Sequence, residues 1–105
     1  MKKYEIYTTD EFDSDFEKLD GSLKERVRKA INQLEINPYV GKPLGFKFFR
    51  EKKVGNYRFY YLIYEEHIVV FLVAIGDKKD QQEVIDTIKR LIPFYREEIK
   101  KKLGL

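Results

Sequence analysis

Val54-Gly55-Asn56-Tyr57-Arg58-Phe59-Tyr60-Tyr61-Leu62-Ile63-Tyr64 runs through a charged tip, Glu65-Glu66-His67, into Ile68-Val69-Val70-Phe71-Leu72-Val73-Ala74-Ile75. Two runs rich in β-branched and aromatic residues, joined by so short a polar tip, read as an antiparallel hairpin. Both are apolar at successive positions rather than at alternate ones, which marks strands in the middle of a sheet covered on both faces. Arg58 breaks the pattern as a single charge at the mouth of a hairpin that otherwise reads as core. A cation placed there asks for an anionic partner, and an ion pair with Glu51 or Asp77 competes with an external anion for it.

The flanking sequence supplies the rest of an α+β fold. Phe46 to Lys53 reads as the strand before the hairpin, with Gly55-Asn56 as its turn, and Pro43 and Gly45 mark a loop ahead of it. Lys3 to Thr8 alternates and reads as the first strand. Thr9 is placed to cap a short helix carrying Phe12, Phe16 and Leu19, which Gly21 closes. Ser22 and Glu25 have the spacing of a capping box for a second helix with the stripe Leu23, Val27, Ala30, Ile31 and Leu34, ended by Asn37-Pro38. From Asp80 a third stripe, Val84, Ile88, Leu91, Tyr95, Ile99 and Leu103, predicts a terminal helix that Pro93 should kink or split. The expectation is one domain over 1–105: an antiparallel sheet of about four strands, an N-terminal helix hairpin and a C-terminal helix.

Composition bounds the chemistry. The 105 residues are 43% hydrophobic and 37% charged, which suits a globular chain. There is no cysteine and a single histidine, His67, so disulfides, the usual zinc sites and a two-histidine ribonuclease mechanism are excluded. His67 beside the tip reads as a surface residue. The longest apolar run is too short to span a bilayer and no signal-peptide pattern precedes the first strand, so no membrane role and a cytoplasmic location are expected. No metal or other cofactor is called for.

The net charge of +3 is unevenly spread. Residues 1–20 hold three basic and seven acidic side chains, whereas residues 42–58 hold Lys42, Lys47, Arg50, Lys52, Lys53 and Arg58 against Glu51 alone. With the tip at residues 65–67, Arg58 falls opposite Ala74, and Lys52 or Lys53 falls opposite Arg58 on the other side. Arg50, Lys52, Arg58 and Lys78 should then approach one end of the sheet, Arg50 and Lys52 sharing a face. A register error of one residue would exchange Lys52 for Lys53. Such a cluster suits phosphate; the bland alternative is a lysine-protected sheet edge, which serves equally for Lys47 and Lys53. Tyr57, Phe59, Tyr60, Tyr61 and Tyr64 read as sheet packing rather than as base-stacking platforms.

The order strand, helix hairpin, three-stranded meander and terminal helix, with Val54-Gly55-Asn56-Tyr57-Arg58-Phe59-Tyr60-Tyr61 and the closing Gly76-Asp77-Lys78-Lys79, resembles the RelE/ParE toxin superfamily over nearly the whole chain. In the RelE branch the resemblance implies ribosome-dependent cleavage of mRNA in the A site, by attack of the RNA 2′-hydroxyl and with Lys and Arg as the catalytic groups. It places Arg58 at the family's strand-three arginine and Lys78 at its post-strand cation. The family's two alternating lysines fall on Arg50 and Lys52 if the turn is one residue shorter, and on Phe49 and Glu51 otherwise. Lys47, Lys53 and Lys79 would add phosphate contacts. The family's C-terminal tyrosine has no match: Ile85 stands near its place, and Tyr95 would serve only with a rearranged last helix.

The resemblance also implies a short, partly disordered RelB-like antitoxin that folds on the toxin with acidic and apolar segments, the complex binding operator DNA through the antitoxin. Two other readings stay open at this point. One is a ParE-like toxin that binds DNA gyrase without cutting RNA; the other is a degenerate toxin that only binds its antitoxin.

Overall fold

The computed structural model describes residues 3–105. Strand β1 (Glu5–Thr8) leads into helices α1 (Asp10–Glu17) and α2 (Gly21–Ile36). Strands β2 (Lys42–Phe46), β3 (Phe49–Val54), β4 (Tyr57–Tyr64) and β5 (Val69–Asp77) follow, and α3 (Gln81–Lys102) ends the chain. The sheet order is β1-β5-β4-β3-β2, antiparallel except for β1, which lies parallel to β5. The fold class is the expected α+β, with five strands where about four were expected and one parallel pair.

The additional strand is the segment read as a loop. Pro43 is tolerated because β2 is the sheet edge, where a missing N–H costs no ladder bond. Gly45, at φ +88°, occupies the irregularity between the Pro43–Arg50 and Phe46–Phe49 pairs. A strand containing proline and a left-handed glycine gives no periodic signal, so only its pairing reveals it.

β4 separates two cores. Phe59, Tyr61 and Ile63 face α1 and α2 together with Val54, Val70, Leu72, Phe12, Val27 and Leu34. Tyr60, Leu62 and Tyr64 face α3 with Phe49, Val69, Phe71, Val73, Ile85, Ile88 and Ile99. Burial on both faces is what the continuous apolar runs required.

The register differs from the expected one by a countable slip. Four residues, Glu65 to Ile68, form the tip, with Ile68 in the left-handed region at φ 54°, so Tyr64 pairs with Val69. A bulge then gives Tyr61 the partner Leu72 and Tyr60 the partner Ala74, leaving Val73 without one. The Val73 carbonyl accepts instead from the buried Thr9 hydroxyl at 3.1 Å, and the Thr9 Oγ1 in turn caps α1 by accepting from the Phe12 N–H at 3.0 Å. As a result Arg58 pairs with Gly76 rather than Ala74.

Helix boundaries follow the strongest caps. Thr9 caps α1 as expected, but α1 ends at Lys18, and Gly21 opens α2 rather than closing α1. The cap of α2 is Asp20, whose carboxylate accepts from the Leu23 N–H at 2.8 Å, so the Ser22–Glu25 box is not formed. A carboxylate also gains from the helix dipole, which a serine does not. Pro93 is exposed and lies inside α3, which runs unbroken from Gln81 to Lys102.

Tyr61 ties the helix layer to the edge strand. Its buried hydroxyl donates to the Pro38 carbonyl at 2.7 Å and accepts from the Gly41 N–H at 3.1 Å. A side chain at position 41 would sit 2.6 Å from the Glu51 carbonyl oxygen and closer still to the Tyr61 hydroxyl, so glycine is required there. Tyr61→Phe strands a buried carbonyl and a buried N–H, and should lower unfolding stability by roughly 1–3 kcal/mol in urea titration. Tyr57→Phe, on a half-buried ring at the strand end, should change it by less than about 0.5 kcal/mol.

Candidate functional site

The alternation that builds the two cores also sorts the cations. Directly opposed residues share a face. Lys42 opposes Glu51 and Lys53 opposes Arg58, so these four stand on the α3 side of the sheet. Lys52 opposes Phe59, whose ring is packed under the helix hairpin, and Arg50 opposes Tyr61. Of the two lysines left open by the sequence, Lys53 is the one beside Arg58.

Lys42, Glu51, Lys53 and Arg58 line a cleft of about 360 Å³ together with Val40, Gly41, Lys52 and Gln81. Lys42 and Lys53 are exposed, while the Glu51 and Arg58 side chains are only 5% and 12% exposed. Gln81, the first residue of α3, donates its amide to both Glu51 oxygens at 2.8 and 2.9 Å. The helix start therefore holds the carboxylate at the base of the cleft.

Arg58 and Glu51 form a loose pair. Arg58 Nε lies 3.7 Å from Glu51 Oε2, beyond the 2.7–2.9 Å typical of a charge-assisted hydrogen bond. Arg58 Nη1 is buried and has no hydrogen-bond partner among the described residues. A guanidinium offers five donors in a planar fork suited to phosphate, and this one is not consumed by its protein neighbour. The ion pair anticipated between Arg58 and Glu51 exists, yet it leaves donor capacity unused.

Tyr60 lies on the same face of β4 as Arg58. Its hydroxyl is buried without a partner among the described residues. Burial first, and then the Glu51 charge, push its ionisation up to about 12, against an opposing contribution from Arg58. It therefore remains neutral at physiological pH and adds no negative charge to the cleft.

The other predicted positions divide. Lys78 and Lys79 are exposed in a 3-10 turn between β5 and α3, at the Arg58 end of the sheet but outside the cleft lining. That turn is anchored by the Lys78 N–H, which donates to the Asn56 carbonyl at 2.9 Å, and by the Lys79 N–H on Asp77 Oδ1 at 3.1 Å. Arg50 does not join Arg58. Its Nη1 donates to the Tyr39 and Gly41 carbonyls at 2.8 and 2.7 Å, its Nε donates to the Lys47 carbonyl at 2.9 Å, and its guanidinium covers the Tyr39 ring. Lys47, in the β2–β3 turn, also lies over Tyr39, 5.4 Å from the ring centroid. The expected convergence of Arg50 with Arg58 fails because Arg50 is held at the β2–β3 turn, whereas Lys52, although it opposes Phe59, still lines the cleft with Arg58.

The tyrosine question also resolves geometrically. Ile85 is core beneath the sheet. Tyr95 packs edge-on against Phe71, 6.0 Å between centroids, and lines a separate groove with Val73, Ala74, Val84 and Leu91. Neither reaches the cleft. Three cleft residues lacked a sequence signal for their role: Lys42 lay in the presumed loop, Glu51 read only as a neutralising partner, and Gln81 had no feature of its own. Among the described residues no cluster of three His, Asp or Glu could hold a metal ion, and no helix is long and apolar enough to cross a membrane.

The chain matches known proteins along most of its length. It is 23% identical over 84 residues to the mRNA interferase toxin RelE of Escherichia coli, covering 74% of this chain and 86% of that one. A double mutant of E. coli RelE in the free state superposes with a TM-score of 0.71 at 20% identity, over 85% of this chain and 98% of that one. A RelBE toxin–antitoxin complex from Mycobacterium tuberculosis gives 0.64 at 28% identity, over 73% and 93%. The model of the ParE toxin of type II toxin–antitoxin systems matches residues 6–82. This chain belongs to the ParE toxin family, within the RelE/ParE superfamily of type II toxin–antitoxin systems.

Proposed function

We propose that this toxin is a ribosome-dependent mRNA endoribonuclease whose chemistry takes place in the Arg58 cleft. The observation that carries the reading is the buried Arg58 fork with an unpartnered Nη1, facing a cleft flanked by Lys42 and Lys53. The RelE relatives named as mRNA interferases support it. Attack of a 2′-oxygen on the adjacent phosphorus forms the O2′–P bond and concentrates negative charge on the phosphoryl oxygens. The P–O5′ bond then breaks to leave a 2′,3′-cyclic phosphate and a free 5′-hydroxyl. Donors already oriented before the reaction stabilise that charge without reorganising.

Within this reading Arg58 binds the scissile phosphate, and Lys53 and Lys42 flank it. Lys78, Lys79 and Lys52 contact neighbouring phosphates of the strand. Arg50 and Lys47 shape the β2–β3 turn instead. The domain acts in the cytoplasm, where the ribosome presents the mRNA and positions it.

A RelB-like antitoxin is the proposed inhibitor, in line with RelE structures solved in complex with RelB from several organisms. The toxin–antitoxin pair would reach operator DNA through the antitoxin. The match to the ParE model and the lack of a counterpart to the family's C-terminal tyrosine favour one second reading, a toxin that binds DNA gyrase and leaves mRNA intact.

Expression without antitoxin should arrest growth, and primer extension should find cuts at ribosomal A sites. Arg58→Ala should slow single-turnover cleavage by about 10²–10³-fold, the usual cost of removing one donor to a developing oxyanion. Full toxicity of the Arg58→Ala protein would remove the cleft from the mechanism, and intact mRNA with trapped gyrase–DNA complexes would select the second reading. The neighbouring reading frame should encode a short acidic protein that co-purifies with this chain. If the toxin remains monomeric and active in that protein's presence, the proposed inhibitor is wrong.

A further inference from the structure

The cleft contains one group that cationic catalysis does not explain: Glu51. A carboxylate beside the arginine that binds phosphate weakens anion binding, yet it is 95% buried and its geometry is fixed. Gln81 donates to both of its oxygens, and Arg58 Nε stands 3.7 Å from one of them. β2 places Lys42 directly opposite it. A residue kept only to neutralise Arg58 would pair through the guanidinium fork at hydrogen-bond distance. Here the pair is open, the fork retains a free donor, and the carboxylate lines the cleft.

Proton transfer supplies the missing reason. The attacking 2′-hydroxyl must lose a proton, and the cations nearby are poor acceptors at neutral pH because an ordinary lysine ionises near 10.4. Lys52, the base suggested by the sequence, lines the cleft but stands opposite Phe59 rather than Arg58, and it is a lysine like the others. Glu51 Oε2, 3.7 Å from Arg58 Nε, is a carboxylate oxygen adjacent to the proposed phosphate site.

We propose that Glu51 is the general base of the cleavage reaction, held in place by Gln81; this rests on the nuclease reading above. A Glu51 oxygen takes the 2′-hydroxyl proton as the O2′–P bond forms. Arg58 holds the phosphoryl oxygens through phosphorus inversion. The Lys53 ammonium, opposite Arg58, gives a proton to O5′ as the P–O5′ bond breaks. The protons then balance, with one on Glu51 and one lost from Lys53, and solvent restores both.

The pH dependence of single-turnover cleavage on mRNA-programmed ribosomes, between pH 5.5 and 9, separates a carboxylate from a lysine base. With Glu51 as the base, the wild-type rate should lack the steep rise through neutrality that a lysine base would impose. A lysine base would instead make it climb about tenfold per pH unit through neutrality. Glu51→Gln keeps the size and polarity of the side chain. It should slow cleavage by about 10²–10⁴-fold and give a residual rate that rises with hydroxide concentration. Thermal melting and retained ribosome binding by the Glu51→Gln protein report its folding independently.

A wild-type rate that climbs tenfold per unit overturns the role of Glu51 and leaves the nuclease reading standing. So does a folded Glu51→Gln protein that cleaves at the wild-type rate. Absence of cleavage by the wild-type protein on programmed ribosomes overturns both.

Discussion

The pairing of β4 between β3 and β5 is the constraint on which everything else rests. Its eight residues must satisfy two ladders of hydrogen bonds and fill two cores at once. Because side chains alternate across a strand, a slip of one residue would drive Phe59, Tyr61 and Ile63 into the space filled by Tyr60, Leu62 and Tyr64. The register is therefore rigid, and with it the face on which Arg58 emerges. The bulge at Val73, closed by the Thr9 hydroxyl, sets how far Arg58 lies from the end of β5. One threonine thus joins the first helix, the central hairpin and the end of the sheet where the cations gather.

That rigidity gives the cleft its chemical character. Side chains on an exposed loop would be screened by water and free to rearrange. Arg58 and Glu51 stand on adjacent strands of a sheet whose neighbours are fully buried, so their separation is determined by backbone pairing rather than by mutual attraction. Burying such a pair seldom improves stability over an apolar pair of similar volume. The 3.7 Å spacing and the free Nη1 are further from an optimised structural salt bridge than the surrounding core is from optimal packing. Arg50, on β3 beside Glu51, shows the contrast: its guanidinium donates to three carbonyls and covers Tyr39, which is how an arginine is used to hold a turn.

Much of the fold was legible from local pattern. The apolar runs of β4 and β5 announced central strands, Thr9 its cap, and the stripes of α2 and α3 their buried faces, because hydrophobic periodicity reports directly on which side of an element is dry. The edge strand β2 was not legible, since Pro43 and Gly45 erase the alternation and its only support is pairing with β3. The capping of α2 by Asp20 in place of Ser22 was a competition between two adequate local signals, decided by where the helix had to begin to bury Val27, Ala30 and Leu34. Pro93 failed to break α3 because it falls on the exposed side of a helix whose other face is held by the sheet.

For the site, the amino-acid sequence by itself determined the ingredients: a lone arginine at the mouth of a core hairpin, a run of basic residues before it, and a toxin-like order of elements. Tertiary structure decided which of them meet. Lys53 rather than Lys52 faces Arg58, Arg50 turns away, and Lys42, Glu51 and Gln81 come in from three different elements. The physical reason is that face and register in a sheet depend on the length of a turn and the place of a bulge. A four-residue tip and one extra valine cost little locally, leave no mark in composition or periodicity, and redirect every side chain beyond them.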